Sequence, residues 1–337
     1  MSMCSTLGTL AVSTALRRSK RRKYTSANMT THSLAHLDVH DEVATALAEG
    51  RAVVALETTI VVHGLPAPHN LDVAAQCETV VRAAGAVPAT IGVVRGRLKV
   101  GMEPRALEEL ADPARNSAKL SARDLGFAVA AGTDGATTVA ATITVAHYAG
   151  IGVMATGGLG GVHRGANVTY DESADLTALS RTPVLVVASG VKSILDIGAT
   201  LERLDSLGVP VAGYRTLRFP GFYLRDSGFD LDWRVDSPEM AAAAFGAHRC
   251  WSSSGFLVAN PVDIDRQLDT GMHDEALAAA LAFAEASGAS GKDVTPEVLG
   301  EFARYTGGES VRVNRDLVVS NTSLAAQIAV VLAHLTS

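Results

Sequence analysis

Residues 151–214, IGVMATGGLGGVHRGANVTYDESADLTALSRTPVLVVASGVKSILDIGATLERLDSLGVPVAGY, decide the fold. Three short apolar runs, at 153–156, 184–189 and 211–214, carry no alternating polar residues, the pattern of strands buried on both faces. Between the second and third, residues 194–207 have helical periodicity and stop at Gly208. Strand, helix and strand at this spacing imply parallel crossovers. The glycine-dense turn after 156 and the loop around Lys192 then fall at the carboxyl ends of strands, where open α/β sheets put their ligands.

The same alternation extends outward. Helices are expected at 41–49, 71–84, 104–110, 138–149, 177–180, 238–245, 274–287 and 324–335, and strands at 52–56 and 255–260. Residues 89–94 and 97–100 form a hairpin around Arg95-Gly96. The expectation is an α/β fold: a single three-layer α/β/α domain over 39–337 with a largely parallel, mixed central sheet. The more polar segment 263–295 reads as a peripheral insertion.

Residues 1–38 differ in kind. The first 32 are rich in Ser and Thr and free of acids, with the basic run Arg17-Arg18-Ser19-Lys20-Arg21-Arg22-Lys23. This composition is that of a disordered basic extension. His32, His36 and His40 share a spacing of four at its edge, which reads as solvated surface.

The 337-residue chain is 47% hydrophobic and 19% charged, with a net charge of −6. That balance excludes a general nucleic-acid or membrane-surface protein, so any affinity for anions is local. Its three cysteines, Cys4, Cys77 and Cys250, have no metal spacing and point to a reducing compartment.

Glu57 ends the apolar run at 52–56, where a carboxylate among apolar neighbours tends to hold its proton and serve as a general acid. A structural capping role fits the position equally. Lys192 follows Ser189-Gly190-Val191 beside the helix expected at 194–207, and can be a nucleophilic amine or a fixed cation for phosphate. Lys119 can clamp a phosphate or be solvated. Asp171, Glu172 and Asp175 can hold a hard divalent cation, or match a helix dipole. Nucleotide-binding loops are absent: Val191 separates Gly190 from Lys192, and His163 stands where a dinucleotide fingerprint needs its last glycine.

The strings ALETTIVVHGLPAPHN, AVPATIGVVRG, KLSARDL, TTVAAT, ATGGLGGVHRGA, DESADLTAL, RTPVLVVASGVKSILD and FLVANP follow one another from about residue 55 onward. In sequence and order the chain resembles the pseudouridine-5′-phosphate glycosidase family, also described as indigoidine-synthase-A-like. The resemblance implies that Glu57 is the proton donor and Lys192 the nucleophile. It makes Lys119, Val139, Ser173, Ala174 and Asp175 substrate contacts, and Asp171 the ligand of one divalent ion, Mn²⁺. Thr156, His163 and Asn314 or Asn321 fall where phosphate and ribose contacts gather. The resemblance also implies a cytoplasmic homotrimer acting on pseudouridine 5′-phosphate, ribose 5-phosphate and uracil, with no nucleic-acid or membrane partner. Departures are mild: Thr58 stands where Ser is usual, Ala136 where Gly is common, and Arg218 where an acid is common.

The bond explains the residues. Ribose C1′ is joined to a pyrimidine carbon, a poor leaving group for the two-carboxylate route of ordinary glycosidases. A lysine iminium at C1′ would relieve that difficulty. The same lysine could instead serve a class I aldolase-like enzyme on another sugar phosphate.

Overall fold

The computed structural model describes residues 36–287 and 294–336. Its central element is a mixed sheet built from β1 (Leu37–Val39), β2 (Val53–Leu56), β3 (Val87–Val94), β4 (Arg97–Val100), β5 (Ala118–Leu120), β6 (Gly135–Thr137) and β7 (Val153–Ala155). A two-residue strand, β8 (Val162–His163), lies outside it and pairs with β10 (Leu195–Asp196). The sheet continues through β9 (Leu185–Ala188), β11 (Val211–Tyr214), β12 (Arg234–Val235) and β13 (Phe256–Ala259). The strand order is β1-β4-β3-β2-β7-β9-β13-β11-β12, with β6 pairing to β3 and β5 to β6. All neighbours from β3 to β12 along this path are parallel, while β4 and β6 run antiparallel to β3.

The parallel strands are apolar because both faces are covered. Every residue of β2, β7, β9 and β13 is buried. The helix Glu309–Thr336 packs on β2, β7 and β9 and on the helices His69–Ala83 and Pro238–His248. Val139–Ala149 packs on β2, β3, β4 and β6 and against Ala174–Leu179. By length and composition Glu309–Leu335 could cross a membrane, but 56% of its apolar window is buried inside the fold, as a core helix is.

The topology also fixes where a ligand goes. From β2 the chain passes to β3 on one side, and later returns with β7 on the other. The strand order therefore reverses between β2 and β7, which opens a crevice outside their carboxyl ends. Glu57 immediately follows β2 and Thr156 immediately follows β7.

Several expected elements shift. Leu37 and Asp38, assigned from sequence to the extension, pair with Leu98 and Lys99 at the sheet edge. His40 caps the helix Asp41–Ala48 by accepting from the Glu42 N–H, while His32 lies outside the described residues. The helix expected at 194–207 begins only at Ile197, capped by Asp196, because Leu195–Asp196 is drawn into the ribbon with β8. Lys192 therefore does not stand in the first turn of that helix. The segment 263–295 contributes the helix Thr270–Ser287, which packs on Val294–Tyr305. Arg218 is held by Asp226 at 2.9 Å and Asp230 at 2.6 Å, which balances the charge of its loop.

Candidate active site

Glu57 is carried off the end of β2 into a wide π-type turn, Ile60–Gly64, of the kind that often marks functional sites. Thr58 anchors that turn: its hydroxyl donates to Ile91 O (2.9 Å) and accepts from the Thr137 N–H (2.9 Å). Glu57 itself is only 9% exposed. The Thr156 hydroxyl donates a short hydrogen bond to its Oε1.

Burial pushes the Glu57 carboxyl above its ordinary value, and Asp175 adds to that push. The charges of Lys192 and Lys119 and the Thr156 hydrogen bond act in the opposite sense, and burial prevails. The dry site thus favours the protonated carboxyl, and two lysines partly offset that effect.

Lys192 is positioned by its backbone. Past β7 and β9 the two chains stay joined: Leu159 N–H donates to Gly190 O (3.0 Å) and Lys192 N–H to Leu159 O (3.1 Å). Gly190 is required here. Its φ is +79°, and a Cβ would lie 2.3 Å from Pro220 O. Ser193 Oγ donates to Gly221 O at 3.0 Å, tying the far side of the loop.

The glycine loop after β7 is clamped by Asp175. One carboxylate oxygen accepts from Gly160 N–H (2.8 Å), the other from Ala140 N–H (2.8 Å). A Cβ at Gly160 would lie 2.2 Å from Ser173 Oγ, so the approach tolerates no side chain. Asp175 thereby draws the glycine loop and the start of Val139–Ala149 together, with Thr138 capping that helix through the Ala141 N–H. Lys119 belongs to a strand rather than a loop, in register with Ala136.

These elements enclose two adjoining cavities that share Glu57, Thr59, Lys119 and Lys192. The larger, about 470 Å³, is lined by Val139, His163, Asp171, Ser173, Ala174 and Asp175 among others. The smaller is lined by Thr156, Asn314, Phe222 and Leu299, with Ile60, His63 and Gly64. Every site residue expected from the sequence lines one of the two except Asn321, the alternative to Asn314. The larger presents two lysines and helix N-termini, a setting for an anion. The smaller is mainly apolar.

The resemblance marks Asn314 and Asn321 but says nothing of their partners, and the sequence does not mark Thr59 at all. Thr59 Oγ1 and Asn314 Oδ1 are buried without a partner in residues only 8% and 6% exposed, so each leaves a polar atom for a ligand. Asn321, fully buried, donates through Nδ2 to Thr156 O (2.8 Å), Gly157 O (3.3 Å) and Ser189 Oγ (3.0 Å). Its Oδ1 accepts from Asn260 Nδ2 (2.9 Å). One side chain therefore pins the ends of β7, β9 and β13. Asn260 and Asn321 are 61 residues apart in sequence, and only the fold brings them together.

Among the described residues no three His, Cys, Asp or Glu side chains gather as a metal cage. Asp171 nonetheless suits a hydrated hard cation, which needs only one or two protein carboxylates. Its acidic neighbours are committed elsewhere: Glu172 to Arg203 (2.8 Å), Asp175 to the two backbone N–H groups. Asp171 faces His163 Nδ1 at 3.8 Å and is partly exposed at the cavity wall. Burial lowers the His163 pKa, opposed by Asp171 and reinforced by Lys119 and Lys192, which favours the neutral imidazole.

Fold and site together define an α/β protein with a buried acid and a lysine at the strand-order reversal, facing an anion cradle. The match to known proteins is narrower: residues 42–331 fit the family described as indigoidine synthase A like protein, and the chain belongs to it. It is 59% identical over 297 residues to the pseudouridine-5′-phosphate glycosidase of Salinispora tropica, covering 88% of this chain and 91% of that one. The glycosidase of the same name from Hahella chejuensis is 50% identical, with 88% and 98% covered. Among solved structures, prealnumycin C-glycosynthase AlnA in complex with ribulose 5-phosphate superposes with a TM-score of 0.83 at 40% identity, covering 90% and 98%. An indigoidine synthase A-like protein from Thermotoga maritima gives 0.80 at 33% identity, covering 88% and 96%.

Proposed function

We propose that the protein reversibly cleaves the C–C glycosidic bond of pseudouridine 5′-phosphate, giving uracil and ribose 5-phosphate through a lysine iminium. The observation that carries this reading is the convergence of Glu57 and Lys192 on one cavity beside an anion cradle. Relatives 50–59% identical bear the glycosidase name, and a structural relative holds a five-carbon sugar phosphate.

In the proposed sequence Lys192 gives up its ammonium proton to solvent and its amine bonds to C1′, while Glu57 donates a proton to the ring oxygen O4′ as the C1′–O4′ bond breaks. The C1′–C5 bond then breaks: its electron pair stays on the uracil carbon, which takes up the proton that the alkylated Lys192 nitrogen gives up as its lone pair forms the C=N bond. C1′ remains as the iminium of Lys192. Water adds to that carbon and releases ribose 5-phosphate as its aldehyde, which restores the amine. Lys119 and the N–H groups at Val139 and Ala174 would anchor the phosphate, with Ser173 and Asp175 beside it, so that remote binding energy orients the sugar. Thr156 aligns the Glu57 carboxyl, and His163 with Asn314 would bound the sugar and base.

Asp171 would hold one divalent ion, Mn²⁺, through a mostly aqueous shell. Such an ion supplies positive charge to the phosphate side of the cavity. A cytoplasmic setting fits the free thiols Cys77 and Cys250. Assembly as a homotrimer fits large apolar side chains left on the surface, Phe127 at 80% and Trp251 at 78% exposure among them.

The test is incubation with pseudouridine 5′-phosphate and Mn²⁺, monitored for free uracil. Uracil release that chelation abolishes, and that Asp171→Ala loses while folding normally, is expected. Turnover of a sugar phosphate without any uracil would favour the aldolase-like alternative. Turnover unaffected by chelation would remove the ion from the account.

A further inference from the structure

The proposed reaction fixes the orientation of the substrate. C1′ must sit at Lys192 Nζ, which with Lys119 borders both cavities, and the helix starts at Val139 and Ala174 that would receive the phosphate lie on the 470 Å³ side alone. The base must therefore point the other way, toward Phe222, Leu299 and Asn314.

On that side the cavity does not end. A further chamber of about 370 Å³ shares His63, Gly64, Leu299 and Asn314 with the small cavity at Glu57 and Lys192. Beyond those four its walls are mostly apolar, with Val62, Leu65, Pro66, Ala303 and Val311. Its volume lies within the range of about 300–1,000 Å³ typical of pockets for drug-sized molecules.

Asn314 stands where the two spaces meet, 6% exposed, with its Oδ1 unpaired. A buried amide oxygen without a donor is a desolvated acceptor that favours binding a donor group. A ring N–H at this boundary would satisfy it. A hydrogen-bonding residue at the neck and an apolar chamber behind it are the lining of a site that reads a ring edge and leaves room beyond it.

We propose that the base side of this site extends past a pyrimidine, so that the protein acts on C-nucleoside 5′-phosphates whose base bears an additional apolar or aromatic substituent. This rests on the C-glycosidase reading above. The substituent would leave the reacting atoms untouched: an N1-alkyl group preserves the ring electrons that receive the C1′–C5 bonding pair, and preserves N3–H as a donor for Asn314.

The experiment compares pseudouridine 5′-phosphate with its N1-methyl and N1-benzyl derivatives, on the full chain and on two variants that fill only the outer chamber, Ala303→Phe and Val311→Phe. The wild-type protein is expected to cleave the N1-benzyl compound with a kcat/KM within about tenfold of the parent. Filling the chamber is expected to lower that value at least about tenfold while the parent substrate changes by no more than about twofold. An inert N1-benzyl compound beside an active parent overturns the extension and leaves the glycosidase reading standing. Equal cleavage in wild type and both filled variants also overturns it, because the substituent then lies elsewhere. If the parent itself is inert, the glycosidase reading fails, and this inference with it.

Discussion

The strands β2, β7 and β9 open onto a cavity at each end, and the two ends are instructive because both carry cations. At the amino ends a space of about 370 Å³ is bordered by Arg51, His147 and Arg249. There Arg51 is paired with Glu49 at 2.7 Å, and Arg249 lies 5.5 Å from the Phe245 ring centroid. Both guanidinium groups belong to exposed residues. At the carboxyl ends lie a buried acid, two lysines, and polar atoms of Thr59 and Asn314 left unpaired in a dry wall. Positive lining is therefore a poor mark of a site. What separates the two ends is that one holds a buried acid and polar groups that no protein atom completes.

The largest effect that would sharpen this contrast is at Lys192. Lys192→Arg keeps the charge but removes the nucleophile, since guanidinium stays protonated. Turnover should fall by at least about 10³-fold while the KM for the sugar phosphate changes little. A raised KM with kcat preserved would reduce Lys192 to a phosphate clamp.

Glu57→Gln follows, with a loss of about 10²–10⁴-fold in kcat. It carries a stability signature as well. Because burial raises the folded-state pKa, the folded protein holds the proton more tightly than the unfolded chain. The stability from this group is present below the ordinary value of 4.5 and is lost as pH rises through the raised one. The melting temperature of Glu57→Gln relative to wild type should therefore climb as pH rises from the ordinary value of 4.5 through the raised one. A flat difference across that range would mean that the carboxyl is not held in a dry site.

Asn321→Ala should cost on the order of 3 kcal/mol, because it leaves Thr156 O, Ser189 Oγ and Asn260 Nδ2 buried with fewer partners. Denaturant unfolding measures this, and kcat should fall more than KM rises as the Thr156 contact to Glu57 loosens. The smallest effect belongs to the opposite end: Arg249→Ala should leave kcat/KM within about twofold. A large loss there would break the distinction between the two ends.

Much of this was legible in the sequence, and the physical reason is burial on both faces. Strands such as Leu185–Ala188 announce themselves because nothing polar interrupts them. Glu57 and Lys192 were visible because each follows such a run. Lys119 looked like a loop residue because its strand has three residues and is defined by pairing with Gly135–Thr137, not by its own composition. The helix Glu309–Thr336 was read only from 324, since Arg312, Asn314, Arg315 and Asp316 interrupt the apolar pattern of its first half. One of those polar residues, Asn314, lines the cavity. The start of the helix at Ile197 depends on Leu195–Asp196 pairing with Val162–His163, a contact that no local signal encodes. Thr59 and Asn321 matter only because the fold buries them.

The central claim is a covalent bond between Lys192 and C1′. Borohydride added during turnover of pseudouridine 5′-phosphate reduces an iminium to a stable secondary amine, which peptide mass spectrometry locates. The account predicts a ribose phosphate adduct on Lys192 alone, absent when substrate is withheld. Sustained turnover with no adduct, or an adduct confined to Lys119, would contradict it.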